Sequence, residues 1–302
     1  MHIFVTGATG FVGSATVAHL LAAGHTVTGL VRSESSASKL RAAGAQVQPG
    51  DLGDAAALAA GARAADAVIH LAFIHDFTRM DVSVAADSQA IHALGQALAG
   101  SDKPLIVTSG LALLTPGRTA TETDEPRSIP GHGRQSEQSA ISFADQGVRV
   151  GIVRLAPSVH GDNDHGFVPT LIDIARNKGI SAYVDAGDNG WSAVHVNDAA
   201  DLYLRALDLA PGLTRFHAAG DEGVALRDIA QIIGRKLGLP VRSIPTDEAM
   251  THLGWMAMFA PLGMSATSQA TRERTGWQPK GPTLLEDLET GTCFDAGQGG
   301  IS

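Results

Sequence analysis

The chain has 302 residues, of which 44 % are hydrophobic and 18 % charged, an ordinary balance for a folded protein and too apolar for a disordered one. Its formal net charge of −9 repels phosphate backbones and argues against a nucleic-acid partner, and no Lys/Arg cluster offsets it. The single cysteine, Cys293, excludes an internal disulfide, and the start MHIFVTGATG lacks the basic, then apolar, pattern of a signal peptide. No apolar run reaches the roughly 18–20 residues that span a bilayer, so a cytoplasmic chain without a membrane partner is expected.

Taken in chain order, short apolar strands are expected at His2–Thr6, Thr26–Val31, Gln46–Gln48, Ala67–Leu71, Leu105–Thr108 and Arg149–Leu155. Helices are expected between them near Val12–Ala23, Ala37–Ala43, Ala55–Ala60, Val82–Ala99 and Arg134–Asp145. Such alternation predicts a parallel sheet covered on both faces. Pro157–Gly166 reads as a polar loop, followed by a helix at Phe167–Asn177 and strands at Ser181–Val184 and Ala193–Val196. Asn197 or Asp198 offers an N-cap for a helix to about Leu209. A strand at Arg215–Ala218 and a helix at Leu226–Leu237, stopped by Gly238 and Pro240, come next. Thr246 to Leu288 is helical in pieces, and the tail Gly297–Ser302 is expected to fray.

The first strand runs into Thr6-Gly7-Ala8-Thr9-Gly10-Phe11-Val12-Gly13, where a helix opens. Glycines at 7, 10 and 13 allow a sharp turn, approach of a pyrophosphate, and close packing of helix on strand. The helix N-terminus then supplies N–H groups and a positive dipole end to the anion. A dinucleotide held by Gly7, Thr9, Gly10, Phe11, Val12 and Gly13 is therefore expected.

The spacing is GxxGxxG, and here the sequence resembles the extended branch of the short-chain dehydrogenase/reductase superfamily, with its epimerases, dehydratases and reductases. The resemblance covers nearly the whole chain. It also rests on Arg154-Leu155-Ala156-Pro157, Val194-His195-Val196-Asn197-Asp198-Ala199-Ala200 and Thr275-Gly276-Trp277-Gln278-Pro279. It implies that Asp51 and Leu52 lie by the adenine, Leu71 and Ala72 by the adenine ribose along with His70, and Pro157 by the nicotinamide. Thr108 falls at the end of the fifth strand and is counted on the cofactor side. Where NAD-specific sites carry an acid, this chain has Arg32 and Ser33, which suit the 2′-phosphate of NADP(H); a merely solvated Arg32 would admit either cofactor.

Most members of that superfamily use a Ser, a Tyr and a Lys, the last two as Y-x-x-x-K at a helix start. The corresponding stretch, Ser128 to Glu137, has neither Tyr nor Lys, and the two tyrosines, Tyr183 and Tyr203, lie elsewhere. Thr108-Ser109-Gly110 puts Gly110 at the serine's place, with Ser109 adjacent. Candidate proton carriers are His132, His75 and Ser109, since an imidazole titrates near neutrality and a histidine donor would give an acidic limb at about pH 6–7. His132 can equally cap a helix. His160 and His195 read as structural or turn-positioning, and the Asp162–His165 run as a polar loop with no metal assigned. Trp191 and Phe167 suit a pocket wall or a core; Trp255 to Phe259 suits a buried cap helix or a dimer contact.

The expected fold is a doubly wound, Rossmann-like α/β parallel sheet. Residues 1–160, with returning segments about 181–219, would hold the cofactor, and most of 161–302 a small, mostly helical substrate cap. The expected function is an NADP(H)-dependent oxidoreductase of atypical catalytic type acting on a small uncharged carbonyl, imine or enone, as a monomer or homodimer. An epimerase or isomerase holding its cofactor, or a non-catalytic NADP(H)-sensing regulator, are the alternatives.

Overall fold

The computed structural model describes residues 1–76, 79–112, 114–115, 117–126, 134–208 and 211–294. The first half alternates as expected: β1 (His2–Thr6), α1 (Phe11–Ala22), β2 (Thr26–Val31), α2 (Glu34–Ala42), β3 (Gln46–Pro49), α3 (Ala55–Ala64), β4 (Ala67–His70), α4 (Met80–Leu98), β5 (Pro104–Gly110), α5 (Ser136–Ile141) and β6 (Arg149–Leu155). The second half is more broken: β7 (Ser158–His160), α6 (Phe167–Lys178), β8 (Ser181–Val184), β9 (Gly190–His195), α7 (Val196–Arg205), β10 (Leu213–Ala218), β11 (Asp221–Ala225), α8 (Leu226–Leu237), β12 (Val241–Ile244), α9 (Ala249–Leu253), α10 (Gln269–Thr275) and α11 (Leu284–Thr290).

Among the described residues, seven strands form one sheet in the order β10-β6-β5-β4-β1-β2-β3, and every neighbouring pair is parallel. The chain winds outward from β1 in both directions. That reversal opens a crevice beyond the carboxyl ends of β1 and β4, where ligands of such sheets bind. Strands such as β4, buried at all four residues, carry apolar side chains on both faces because helices cover both. One face packs Val17, Leu20, Leu202 and Trp277, and the other packs Leu58, Ile91, Leu94 and Phe143. A separate cluster joins α6, α8, α9 and α11 around Trp191 and Met256. No helix among the described residues is long and apolar enough to cross a membrane.

Several elements differ from expectation. The polar stretch after Pro157 contains β7, which pairs parallel with β9 at Ser158–Ala193 and His160–His195. Three residues carry too little periodicity to read. The helix at α7 is capped by His195, whose Nδ1 accepts the Asn197 N–H at 3.3 Å, because the chain is still extended there; neither Asn197 nor Asp198 caps it. At Arg205 it passes into a 3-10 turn, Ala206–Asp208, so the helical path runs to the end of the described residues there. Ser33 caps α2, so that helix starts three residues earlier than its apolar pattern indicates. Both β11 and β12 pair with partners distant in sequence, β9 and β8, and neither alternates strongly enough to be read.

Candidate functional site

The turn from β1 into α1 is shaped by its glycines. Gly7 takes φ +70°, and the Gly10 N–H closes the turn on the Gly7 carbonyl at 3.0 Å. A Cβ on Gly7 would lie 2.6 Å from the Ala72 nitrogen, and one on Gly13 would lie 2.0 Å from the Gly7 carbonyl oxygen. A Cβ on Gly10 would meet only that oxygen, at 3.3 Å, so the face of Gly10 is open. Gly10 is the N-cap of α1 and carries no side chain to bind the first-turn N–H groups. An open backbone face at an uncapped helix N-terminus fits a pyrophosphate. Thr9, Phe11 and Val12 are half-buried around it.

Arg32, immediately after β2, is exposed and forms no ion pair with any described residue. The Ser33 hydroxyl accepts the Ser36 N–H at 3.2 Å and donates to the Ser36 hydroxyl at 3.1 Å. Asp51 Oδ1 accepts the Gly53 N–H at 2.7 Å, which turns the chain after β3, and Leu52 packs beside the Phe4 and Leu58 cluster. The Leu71 N–H donates to the Thr6 carbonyl at 3.2 Å and holds the segment after β4 against the glycine turn. Pro157 is half-buried beyond β6.

Thr108 is not open to a ligand. Its hydroxyl donates to the His70 carbonyl at 2.8 Å and pairs with the Tyr203 hydroxyl at 2.7 Å, both buried. Burial raises the Tyr203 hydroxyl far above the usual phenol range, so it stays protonated. Ser109 is nearly buried on β5 while Gly110 is exposed.

Beneath the crevice lies a buried polar chain. Thr6 Oγ1 lies 2.8 Å from His70 Nδ1, and His70 Nε2 lies 3.1 Å from Asp87 Oδ1. The Ser136 hydroxyl donates to Asp87 Oδ2, and Arg134 donates from Nε to Ser136 Oγ at 2.5 Å and from Nη2 to Asp87 Oδ1 at 3.4 Å. Burial opposes ionisation of Asp87, but the Arg134 charge and the His70 and Ser136 bonds prevail and hold its carboxyl below the ordinary value. An ionised Asp87 only accepts, so His70 donates from Nε2, while Nδ1 pairs with the Thr6 hydroxyl. His70, expected beside the ribose, thus has both nitrogens occupied inside the protein.

Above this chain the crevice is lined by rings and cations. The Arg134 guanidinium lies 4.4 Å over the Phe73 ring, whose edge meets His75 at 5.2 Å. His165 meets Phe11 of the glycine turn edge-on at 5.9 Å. Local desolvation, then the charges of Arg134 and His165, push the His75 imidazole below its ordinary value. His132 lies outside the described residues.

The remaining candidates belong elsewhere. His160 is buried, bonded through Nδ1 to Asp287 at 2.8 Å, and stacked edge-on with His195 at 5.5 Å. Phe167 packs against Trp191, Trp255 and Phe259 within the cap.

A sequence model of the NAD dependent epimerase/dehydratase family matches residues 3–97, from β1 to the end of α4. An uncharacterized protein of Schizosaccharomyces pombe is 44 % identical over 97 % of this chain and 100 % of its own. The chain belongs to the NAD dependent epimerase/dehydratase family. A 4-hydroxy-2-methyl-3-oxo-4-farnesyl-3,4-dihydroquinoline-1-oxide ketoreductase of Stigmatella aurantiaca is 29 % identical over 85 % of this chain and 82 % of its own. The dTDP-glucose 4,6-dehydratase of Streptomyces venezuelae, solved with NAD bound, shares the fold at TM-score 0.74 and 19 % identity, over 96 % of this chain and 95 % of that one.

Three of the motifs that carry the resemblance play structural roles in this chain. The Trp277 indole N–H donates to the Asp198 carbonyl at 2.9 Å, and the Asp198 carboxylate accepts the Lys280 and Gly281 N–H groups. The V-H-V-N-D and T-G-W-Q-P segments therefore meet. Arg154, fully buried, grips Glu137 of α5 with two bonds of 2.9 and 2.8 Å, and Arg215 adds a third at 2.6 Å. The Asp87 network was not read as a unit from the sequence. A signal existed: Asp87 falls on the helical stripe of Ser83, Ala90, Ile91 and Leu94, where a charge needs a buried partner.

Proposed function

We propose that this chain is an NADP(H)-dependent oxidoreductase of atypical catalytic type, acting on a small organic molecule with a carbonyl, imine or conjugated alkene. One observation carries the cofactor preference. The residue beyond β2, next to the strand that feeds the open glycine turn, is an arginine with no ion-pair partner among the described residues, rather than a carboxylate. A carboxylate there would accept the ribose hydroxyls; a guanidinium matches a 2′-phosphate. When bound, the nicotinamide supplies the hydride chemistry. The chain's own parts bind the pyrophosphate at Gly7–Gly13, support the ribose beside Leu71 and Ala72, and place Pro157 toward the nicotinamide. The ketoreductase among the relatives supports a carbonyl substrate.

With no Tyr or Lys at the start of α5, proton handling falls to His132, which lies outside the described residues, to His75 or to water. Ser109 is a weaker candidate because it is nearly buried. Residues 1–160 with α7 and β10 carry the cofactor, and α6, α8, α9 and α11 form the cap.

Calorimetric titration with NADPH and NADH tests the reading. Losing a charge-assisted pair costs about 1.5–3 kcal/mol, so NADPH should bind roughly 10- to 150-fold more tightly, and Arg32→Ala should erase the difference. Equal affinities in the parent protein would refute it.

A further inference from the structure

We propose that Arg134 anchors a carboxylate on the substrate, so that the compound taken carries an anionic group close to its reacting carbon. This rests on the oxidoreductase reading and replaces the uncharged substrate expected from the sequence.

Arg134 occupies the approach to α5, beside the carboxyl ends of β4 and β5. Its side chain is 19 % exposed, which places it at the edge of the crevice rather than in the core. Two of its three nitrogens are committed inward, Nε to Ser136 and Nη2 to Asp87. Nη1 has no partner among the described residues. Phe73 supports the guanidinium plane at 4.4 Å. The fork is thus held in one orientation before any ligand arrives, and little rotamer entropy is left to lose on binding.

The free donor of this oriented guanidinium suits an anionic acceptor. Asp87 is the carboxylate that meets Arg134, but it is buried and shared with His70 and Ser136. Its 3.4 Å contact engages Nη2 and leaves Nη1 facing away from it. Asp76, farther along the same segment, faces Arg79 at 3.6 Å. Among the described residues, His75 and His165 are the other titratable groups facing this part of the crevice, and neither contributes negative charge. A neutral carbonyl would give this partly desolvated guanidinium one hydrogen bond. A carboxylate gives two acceptor oxygens and the opposing charge, which is the geometry that Arg recognises. Anchoring a group beside the reacting carbon also orients the substrate, a task otherwise left without a residue when Tyr and Lys are absent.

The probe pair is benzoate and benzamide, matched in shape and differing in charge. Both are titrated calorimetrically into the protein saturated with NADP⁺, so that the glycine turn cannot take the anion, and again without the nucleotide. Benzoate should bind at least roughly tenfold more tightly than benzamide, the worth of a charge-assisted pair. Arg134→Gln should remove that preference while NADP⁺ affinity holds, although the buried Asp87 loses a partner and the unfolding temperature falls. Arg134→Lys, which keeps the charge but loses the fork, should retain only part of it, and it serves if the Gln variant does not fold. Benzoate binding no tighter than benzamide, including no binding of either, overturns the proposal, as does a preference that survives Arg134→Gln. Failure of NADP⁺ to bind would instead overturn the cofactor reading, and the titration without nucleotide still decides the role of Arg134.

Discussion

Two glycines of one turn should fail in opposite ways when given a methyl group. At Gly13 the new Cβ would lie 2.0 Å from the Gly7 carbonyl oxygen. Real contacts of this kind stay beyond 3.0 Å, so α1 must withdraw from β1 by about 1 Å against close packing. Overpacking of this severity costs about 1–3 kcal/mol or more. At Gly10 the Cβ would lie 3.3 Å from the same oxygen, and the backbone, at φ −73° and ψ 175°, accepts any L-residue. Its cost is that of Ala in place of Gly at an N-cap, about 0.5–1 kcal/mol. The methyl group nevertheless covers the face the pyrophosphate must approach. Gly10→Ala should therefore unfold within about 1–3 °C of the parent and lose dinucleotide affinity by roughly 100-fold, equivalent to about 3 kcal/mol of backbone–phosphate contact. Gly13→Ala should lose several degrees. Thermal unfolding by circular dichroism, with and without saturating NADPH, reads both effects, because a ligand bound only by the folded state raises its midpoint. The reasoning is refuted if Gly10→Ala still gains stability from NADPH as the parent does, or if it unfolds as early as Gly13→Ala.

Three further outcomes follow from the buried charges. Glu137→Gln strands the fully buried Arg154 with weakened partners and should cost about 3–5 kcal/mol in urea unfolding; a loss under about 1 kcal/mol would show that the bridge is not what ties α5 to β6. Burial pushes the Asp164 carboxyl up to about 6, above its ordinary 3.8, so its ionised form burdens the fold above about pH 6 and not below about pH 4. Asp164→Asn keeps an acceptor for the Gly166 N–H and should stabilise the protein at pH 7–8 by up to about 3 kcal/mol, with the gain vanishing near pH 4; a gain independent of pH contradicts this. If His75 gives the proton, reduction should slow as pH rises through a limb below the ordinary imidazole value, lower than the 6–7 expected from sequence, because the imidazolium is disfavoured in the folded protein. His75→Ala should abolish that limb while Ser109→Ala leaves it in place, and a limb unchanged in His75→Ala removes His75 from the role.

What was legible in the sequence depended on local regularity. The alternation through β6 could be read because strands buried on both faces are continuous apolar runs and the helices between them are Ala-rich. The glycine turn could be read because its chemistry is backbone chemistry, confined to seven consecutive residues. The missing Tyr and Lys could be read as plainly as a present pair. The second half resisted because β7, β11 and β12 are three to five residues long and owe their existence to partners elsewhere in the chain, β9 and β8, rather than to their own periodicity. Side-chain roles at the crevice were decided by tertiary structure alone. Thr108 turned inward to Tyr203, 95 residues away, and Asp87 of α4 drew together His70 from β4 and the neighbours Arg134 and Ser136 from the start of α5. Such a network has no sequence period. It forms because a carboxylate withdrawn from water must collect its donors from whatever the fold brings within reach.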